Sequence, residues 1–332
     1  MTRLAVLGAG SWGTALAVVL APRFEQTGLW AFEADLAAHM QRHRENPVYL
    51  PDARLPDQVT VTNSLPECLE GADIVLGVMP SHHARRVYTQ ALPHLRASML
   101  FVSATKGLEQ GTLYRMSEVL HGVASERFTP RIGVLSGPSF AKEVARGEPA
   151  AIVISSHDAQ LAQIVQQTFA TASLRLYRNA DPVGVELGAS LKNVIAIAAG
   201  VSAGLGLGAN TLAALVTRGL AEITRLAVAA GGQARTLAGL AGLGDLVLTC
   251  HGELSRNRTV GFQLGQGRKL AEILSGMKMV AEGVQTTYAA CGLAARLGVE
   301  MPITQQMHAI LEGNKPPREA LRDLLDRSLK DE

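Results

Sequence analysis

Short, unbroken apolar runs, each followed by a stretch of helical period, recur from Arg3 to Tyr177 and then stop. That alternation is the mark of βαβ units wound around a parallel sheet. The runs Leu4–Leu7, Leu29–Phe32, Ile74–Val78, Leu100–Ser103, Ile132–Leu135, Ala151–Ile154 and Leu174–Leu176 read as strands. They lack the polar alternation of a half-solvated strand, as strands buried on both faces should. Trp12–Leu20 reads as the first helix, stopped at Pro22, which cannot donate to a helical ladder. Past Asn179 the pattern changes. Asp181 is a natural N-cap with Pro182 at the first helical position. From there Val183–Ala203, Thr211–Ala230, Gly283–Leu297, Ile303–Glu312 and Arg318–Ser328 read as helices, and no strand is expected. The expectation is an α/β parallel-sheet domain over 1–180 followed by an all-α domain over 181–332, with no internal repeat.

Composition narrows the function. With 332 residues, 47% of them hydrophobic, the chain can build a large core. Its 31 basic and 29 acidic residues leave a net charge of only +2, too little for a nucleic-acid partner, and 4% aromatics offer little for base stacking. Cys68, Cys250 and Cys291 stand far apart, which fits a reducing cytoplasm rather than a disulfide framework or a thiolate metal site. Two segments imitate membrane signals. Leu4–Leu20 looks like a signal peptide but contains Gly8, Gly10 and Gly13, which would weaken the helix such a segment needs. Asn193–Thr217 carries no charge and is long enough to span, yet Gly204, Gly206 and Gly208 interrupt it. It reads as two buried helices joined by a glycine-rich turn, so no integral membrane span is expected.

Gly8-Ala9-Gly10-Ser11-Trp12-Gly13 is a full GxGxxG between a strand and a helix. The first glycine allows the tight turn, the second lets backbone approach a pyrophosphate, and the third lets helix pack on strand. With the open N–H groups of the helix start, the motif predicts a Rossmann-like dinucleotide site. Glu33 lies about twenty residues further on, where a carboxylate accepts from the adenosine ribose hydroxyls and favours NAD over NADP. Asp35 is a nearby rival, and Arg42 or Arg44 are the basic residues within reach of a 2′-phosphate. Lys106-Gly107 and Gly137-Pro138-Ser139-Phe140 follow the ends of two strands, where open α/β sheets bind ligands and where ordinary turns also fall.

Lys192 is the one charge from Leu187 to Ala199, with Gly188, Ala189, Ile195 and Ala196 as helical neighbours. An apolar surround lowers an ammonium's pKa toward the range useful for proton transfer. The competing reading is a lysine that snorkels over apolar surface. Asp245, within Gly242-Leu243-Gly244-Asp245-Leu246, can partner it from a glycine-rich turn. Ser255-Arg256-Asn257-Arg258 reads either as a phosphate grip or as a helix N-cap with solvated arginines. No metal site is expected, since the nine histidines form no HExxH.

Taken in order, Gly8–Thr14, Thr105-Lys106-Gly107-Leu108, Ser136–Ala141, Leu191-Lys192-Asn193, Gly242–Leu246 and Ser255-Arg256-Asn257 closely resemble bacterial NAD(P)-dependent glycerol-3-phosphate dehydrogenase. Val280-Ala281-Glu282-Gly283 and Met301-Pro302-Ile303-Thr304 extend the resemblance nearly end to end. It implies hydride transfer between NAD(P)H and dihydroxyacetone phosphate, giving sn-glycerol 3-phosphate for phospholipid synthesis. It implies Lys192 as proton donor and acceptor, held by Asp245. Lys106, Gly137, Ser139, Lys192, Asp245, Ser255, Arg256 and Asn257 are then the substrate residues. Ser11, Trp12, Lys106, Ala141, Arg256, Val280 and Glu282 are the cofactor contacts. Many members carry a basic residue where this chain has Phe32, which argues for NAD. A homodimer is the assembly to test for. The alternatives are a β-hydroxyacid dehydrogenase, disfavoured because Ala196 stands where an asparagine is expected four residues past the lysine, and a non-catalytic dinucleotide sensor, disfavoured by Lys192 and Asp245.

Overall fold

The computed structural model describes residues 2–277 and 281–329. Among the described residues all strands precede residue 180: β1 (Arg3–Leu7), β2 (Gln26–Trp30), β3 (Glu45–Asn46), β4 (Leu50–Arg54), β5 (Val59–Thr62), β6 (Ile74–Gly77), β7 (Leu100–Ser103), β8 (Arg131–Ser136), β9 (Ala150–Ser155) and β10 (Leu174–Asn179). Eight form one sheet in the order β10-β9-β8-β7-β6-β1-β2-β5. Along β1, Leu4 and Val6 enter the apolar cluster on one face, and Ala5 and Leu7 enter the cluster on the other. Both faces are covered, which is why the run shows no alternation. Connections leave β1 toward β2 on one side and resume at β6 on the other, so the glycine turn sits at the reversal of strand order, where such sheets bind ligands.

Two expectations about the sheet are corrected. β9 pairs antiparallel with β8, and β10 pairs parallel with β9, so the last two strands run against the rest. The link from β8 to β9 contains only the helix Ala141–Ala145, roughly 7 Å long at helical rise, too short to return along a full strand. The unbroken apolar run of β9 reports burial on both faces and carries no information on direction, whereas β10, at the sheet edge, alternates, with Arg175 and Tyr177 exposed instead of buried. The second strand is Gln26–Trp30 rather than Leu29–Phe32, which leaves Phe32 beyond the sheet and 62% exposed. Gly28 hides this strand in the sequence. A Cβ there would lie 2.9 Å from the Cys68 carbonyl oxygen, so the glycine serves close packing of the helix Leu65–Leu69.

The edge strand β5 and the hairpin β3–β4 were not expected. The hairpin props the glycine turn: buried Asn46 donates to the Ala9 carbonyl at 2.8 Å and to Thr14 Oγ1 at 2.9 Å.

Past residue 180 the described residues are helical, as expected. The helices Pro182–Gly204, Ala209–Ala229, Glu282–Leu297, Pro302–Leu311 and Pro317–Leu325 match the five read from sequence within a few residues. The first is long and apolar enough to cross a membrane, but 89% of that stretch is buried in the protein. It is hydrophobic all round because it is the central post of a helical core. The sequence reading misses several shorter helices, and two of these matter for the site. Asp245 opens the helix Asp245–His251 after a π-helical turn over Leu240–Gly244, where only a glycine-rich turn was expected. Ser255 caps a ten-residue helix, Arg256–Gly265, by accepting from the Arg258 N–H. That helix crosses the central post so closely that a Cβ on Gly261 would lie 1.9 Å from the Ile197 carbonyl oxygen, and one on Gly200 2.0 Å from that of Arg258. Gly204, one of the glycines that interrupt the apolar stretch, serves the same crossing, since a Cβ there would lie 2.2 Å from the Phe262 carbonyl oxygen.

Candidate active site

Between the ends of the strands and the helical core lies a cleft of about 580 Å³. Of the residues singled out in the sequence, Gly8, Gly10, Ser11, Trp12, Glu33, Lys106, Ser139, Ala141, Lys192, Ser255, Arg256, Asn257 and Glu282 line it. Gly13, Gly137 and Asp245 lie behind the lining. Val280 falls outside the described residues.

The three glycines of the turn have separate duties. Gly8 has φ +123°, and a Cβ there would lie 2.5 Å from the Val78 carbonyl oxygen. A Cβ on Gly13 would lie 1.8 Å from the Gly8 carbonyl oxygen, so helix and strand meet there. A Cβ on Gly10 would meet nothing within 4 Å. The protein itself has no need of that glycine; the bare backbone serves whatever occupies the cleft. Gly10 is also the N-cap of Ser11–Leu20 and supplies no side-chain cap, so the first N–H groups of the helix remain available to an anion. Buried Trp12 Nε1 has no hydrogen-bond partner among the described residues. The turn therefore fits a dinucleotide's pyrophosphate.

At the inner end, Asp245 lies between two lysines. Its Oδ2 accepts from Lys106 Nζ at 2.9 Å, and its Oδ1 accepts from Lys192 Nζ. Lys192 also donates to Thr249 Oγ1 at 2.8 Å. Thr249 gives its own proton to the Asp245 carbonyl at 2.6 Å, which fixes its oxygen as an acceptor. Two of the three ammonium donors of Lys192 are thus committed, and one is left for the cleft that the residue lines. Burial drives the Lys192 pKa down to about 7; Asp245 opposes the shift and Lys106 adds to it. The snorkelling alternative is set aside, because only 6% of the Lys192 side chain is exposed.

The loops that carry these groups are pinned to the helical core. The Gly107 N–H donates to Ser190 Oγ at 2.9 Å, which ties the Lys106 loop to the helix of Lys192. Ser81 Oγ donates to Glu282 Oε2 at 2.9 Å; burial raises that carboxyl to about 7. Asn257 Oδ1 accepts from the Gly283 N–H at 2.9 Å, which leaves its amide donors unspent by that bond. Ser255 is both the helix cap and part of the cleft wall. Thr249, Ser81 and Ser190 escape the sequence reading, because a lone Ser or Thr in an apolar helix or loop gives no spacing signal.

At the outer end, Glu33 Oε1 accepts from the Tyr49 hydroxyl at 2.9 Å. The suggested reach of Arg42 or Arg44 is corrected. Arg44 is turned away, donating to the carbonyls of Val59, at 2.8 Å, and Pro56, and neither arginine is part of the cleft wall.

A strand-turn-helix nucleotide site facing a buried lysine-carboxylate pair defines a nicotinamide-dependent oxidoreductase. Comparison with known proteins makes this particular. Residues 3–162 match the N-terminal family model of NAD-dependent glycerol-3-phosphate dehydrogenase, and 181–322 match the C-terminal one. The chain is 61% identical to a glycerol-3-phosphate dehydrogenase [NAD(P)+] of Koribacter versatilis, over 98% of each chain. It is 53% identical to that of Citrifermentans bemidjiense, over 99% of this chain and 98% of the relative. The crystal structure of glycerol-3-phosphate dehydrogenase from Coxiella burnetii superposes with a TM-score of 0.94 at 40% identity, covering 98% of this chain and 99% of that one. The chain belongs to the NAD-dependent glycerol-3-phosphate dehydrogenase family and is an oxidoreductase that uses NAD(P). The β-hydroxyacid dehydrogenase and sensor alternatives are thereby set aside.

Proposed function

We propose that in this chain Lys192 exchanges the proton, and Lys106, Ser139, Ser255, Arg256 and Asn257 hold the phosphate-bearing substrate, in the interconversion of dihydroxyacetone phosphate and sn-glycerol 3-phosphate. The observation that carries this reading is the Lys106–Asp245–Lys192 chain, with Asp245 and Lys192 buried, at the inner end of a cleft whose other wall is the glycine turn.

When bound, the nicotinamide supplies or accepts the hydride at C2. Lys192, as ammonium, gives its uncommitted proton to the C2 oxygen and takes it back in the reverse direction. A pKa near 7 keeps both protonation states populated at neutral pH. Asp245 and Thr249 hold the Nζ in place, so the ketone meets a fixed donor. Arg256 contributes a planar fork to the phosphate. Anchoring the phosphate orients C2, which is where much of the barrier is lowered. Gly137 shapes the loop under Ser139: its φ of +149° and the 2.8 Å from a would-be Cβ to Ile152 Cα admit only glycine. Gly8, Gly10, Ser11, Trp12, Gly13, Ala141 and Glu282 form the cofactor side, and Glu33 accepts from the ribose hydroxyls, so NADH is favoured while both cofactors are used.

The division at residue 180, a cytoplasmic setting in which Cys68, Cys250 and Cys291 stay free thiols, supply of glycerol 3-phosphate to phospholipid synthesis, and a homodimer complete the proposal. The direct experiment follows NADH absorbance with dihydroxyacetone phosphate in the unsubstituted protein and in Lys192→Ala. Equal turnover in the two proteins would remove Lys192 from the chemistry. Light scattering decides the assembly.

A further inference from the structure

The helix Ala84–Ala91 carries two adjacent arginines in different surroundings. Arg85 is forked onto the Glu109 carboxylate, with Nε and Nη2 donating at 2.8 and 2.7 Å. Arg86 forms no ion pair among the described residues. Its guanidinium carbon lies instead 5.3 Å from the centroid of the Phe32 ring, and it lines the cleft beside Phe32, Glu33 and Tyr49. Phe32 sits just past the end of β2, next to the carboxylate expected at the ribose hydroxyls. An exposed aromatic ring with a guanidinium on its face is a weak attraction, yet it is enough to favour one position for a flexible side chain. The neighbouring imidazoles of His82 and His83 are held below the usual histidine range, His82 by burial and then by His83 and Arg86, His83 by burial and then by Arg86, which favours their neutral forms. The positive charge of this helix at the cleft is therefore that of Arg86.

We propose that Arg86 binds the 2′-phosphate of NADPH. This deepens the cofactor reading above and rests on it. Glu33 and Arg86 then act in opposite senses: the carboxylate accepts from a free ribose hydroxyl and repels a phosphate, while the guanidinium pairs with the phosphate through its fork. Glu33 accepts from the Tyr49 hydroxyl and forms no ion pair with Arg86 among the described residues. A chain with Phe32 in place of a basic residue thus retains NADPH use through a charge contributed by a different helix. Lys142, the other exposed cation of the wall not assigned to substrate or cofactor, is the rival.

The test is calorimetric titration with 2′,5′-ADP and with ADP, which need neither nicotinamide nor substrate. The proteins are the unsubstituted chain, Arg86→Ala, Arg86→Lys and Lys142→Ala. The expected result is that Arg86→Ala weakens 2′,5′-ADP at least tenfold more than it weakens ADP. Arg86→Lys recovers only part of that difference, because an ammonium lacks the fork. Equal weakening of both nucleotides by Arg86→Ala would mean that the guanidinium stacks on adenine, and would overturn the proposal. Selective loss with Lys142→Ala but not with Arg86→Ala would also overturn it, in favour of the lysine. If the unsubstituted protein bound neither nucleotide, the cofactor reading itself would fall and this proposal with it, a result distinguishable from the other two.

Discussion

The two ends of the cleft handle charge differently. At the inner end, Lys106, Lys192 and Asp245 are drawn from three distant parts of the chain; Lys192 and Asp245 are buried, and each member is hydrogen-bonded to another. At the outer end, Glu33 and Arg86 stand in solvent, steadied by one hydroxyl and one ring. Burial makes electrostatics strong and pKa values movable, so the inner end can do proton chemistry at neutral pH. Solvent and salt screen the outer end, which can only choose between cofactors that differ by one phosphate.

The largest test of this contrast is Lys192→Ala, for which turnover should fall roughly 10²–10⁴-fold, the usual contribution of a positioned acid-base group. Cofactor affinity should hold much better, which a fluorescence titration would show. Because the Lys192 pKa is lowered to about 7, ketone reduction, which needs the ammonium, should decline as pH rises through about 7. Alcohol oxidation needs the free amine and should decline as pH falls through the same range. Asp245→Asn removes the charge that holds this pKa up, so both limbs should move to lower pH. Limbs that stayed in place would detach the titration from Lys192.

Arg256→Ala and Arg256→Lys probe the phosphate grip. Both should raise the KM for dihydroxyacetone phosphate, about tenfold or more for alanine and less for lysine, since a bidentate charge-assisted contact is lost. An unchanged KM in both would place the phosphate elsewhere.

The glycine turn allows a sharper separation of structure from binding. Gly13→Ala should destabilise the fold by about 1–3 kcal/mol, because its Cβ collides with the Gly8 carbonyl and overpacks the junction. Gly10→Ala should cost no more than about 1 kcal/mol, the ordinary difference between glycine and alanine at an N-cap, yet should weaken cofactor binding. Thermal unfolding with and without NADH separates the two. Equal stability losses would refute the division of duties.

The smallest effect is expected at the outer end. The ratio of kcat/KM for NADH over NADPH should favour NADH in the unsubstituted protein. Phe32→Arg with Glu33→Ser should tilt it toward NADPH by roughly tenfold, from repulsion removed and attraction added. A clear NADPH preference before any substitution would show that Arg86 outweighs Glu33.

Much of this was legible beforehand for a physical reason. The glycine turn, most of the strand runs and the end of the strand pattern before residue 180 are local, periodic signals that reappear in the fold, while Leu29–Phe32 is displaced to Gln26–Trp30. Lys192 stood out because an uncompensated charge in an apolar helix demands a partner, and the glycine-rich segment Gly242–Leu246 offered Asp245. Other features carried no such signal. The direction of β9 depends on how far a short connection can travel. Thr249 and Ser190 matter only because helices bring them against Lys192 and the Lys106 loop. The helix Arg256–Gly265 was hidden by glycines that make poor local sense and good packing sense against the central post.

By itself the sequence determined that a nucleotide-binding sheet would be followed by a helical unit holding one isolated lysine. It also determined which residue types stood at the turn, since backbone approach to a pyrophosphate demands glycine whatever the rest of the chain does. Only the tertiary structure decided that Asp245 would lie between two lysines, that Arg44 would turn away to backbone carbonyls, and that Arg86 would lie over the Phe32 ring. Those pairings join residues far apart in the chain, and side-chain charge acts through distance in space, which no local pattern encodes.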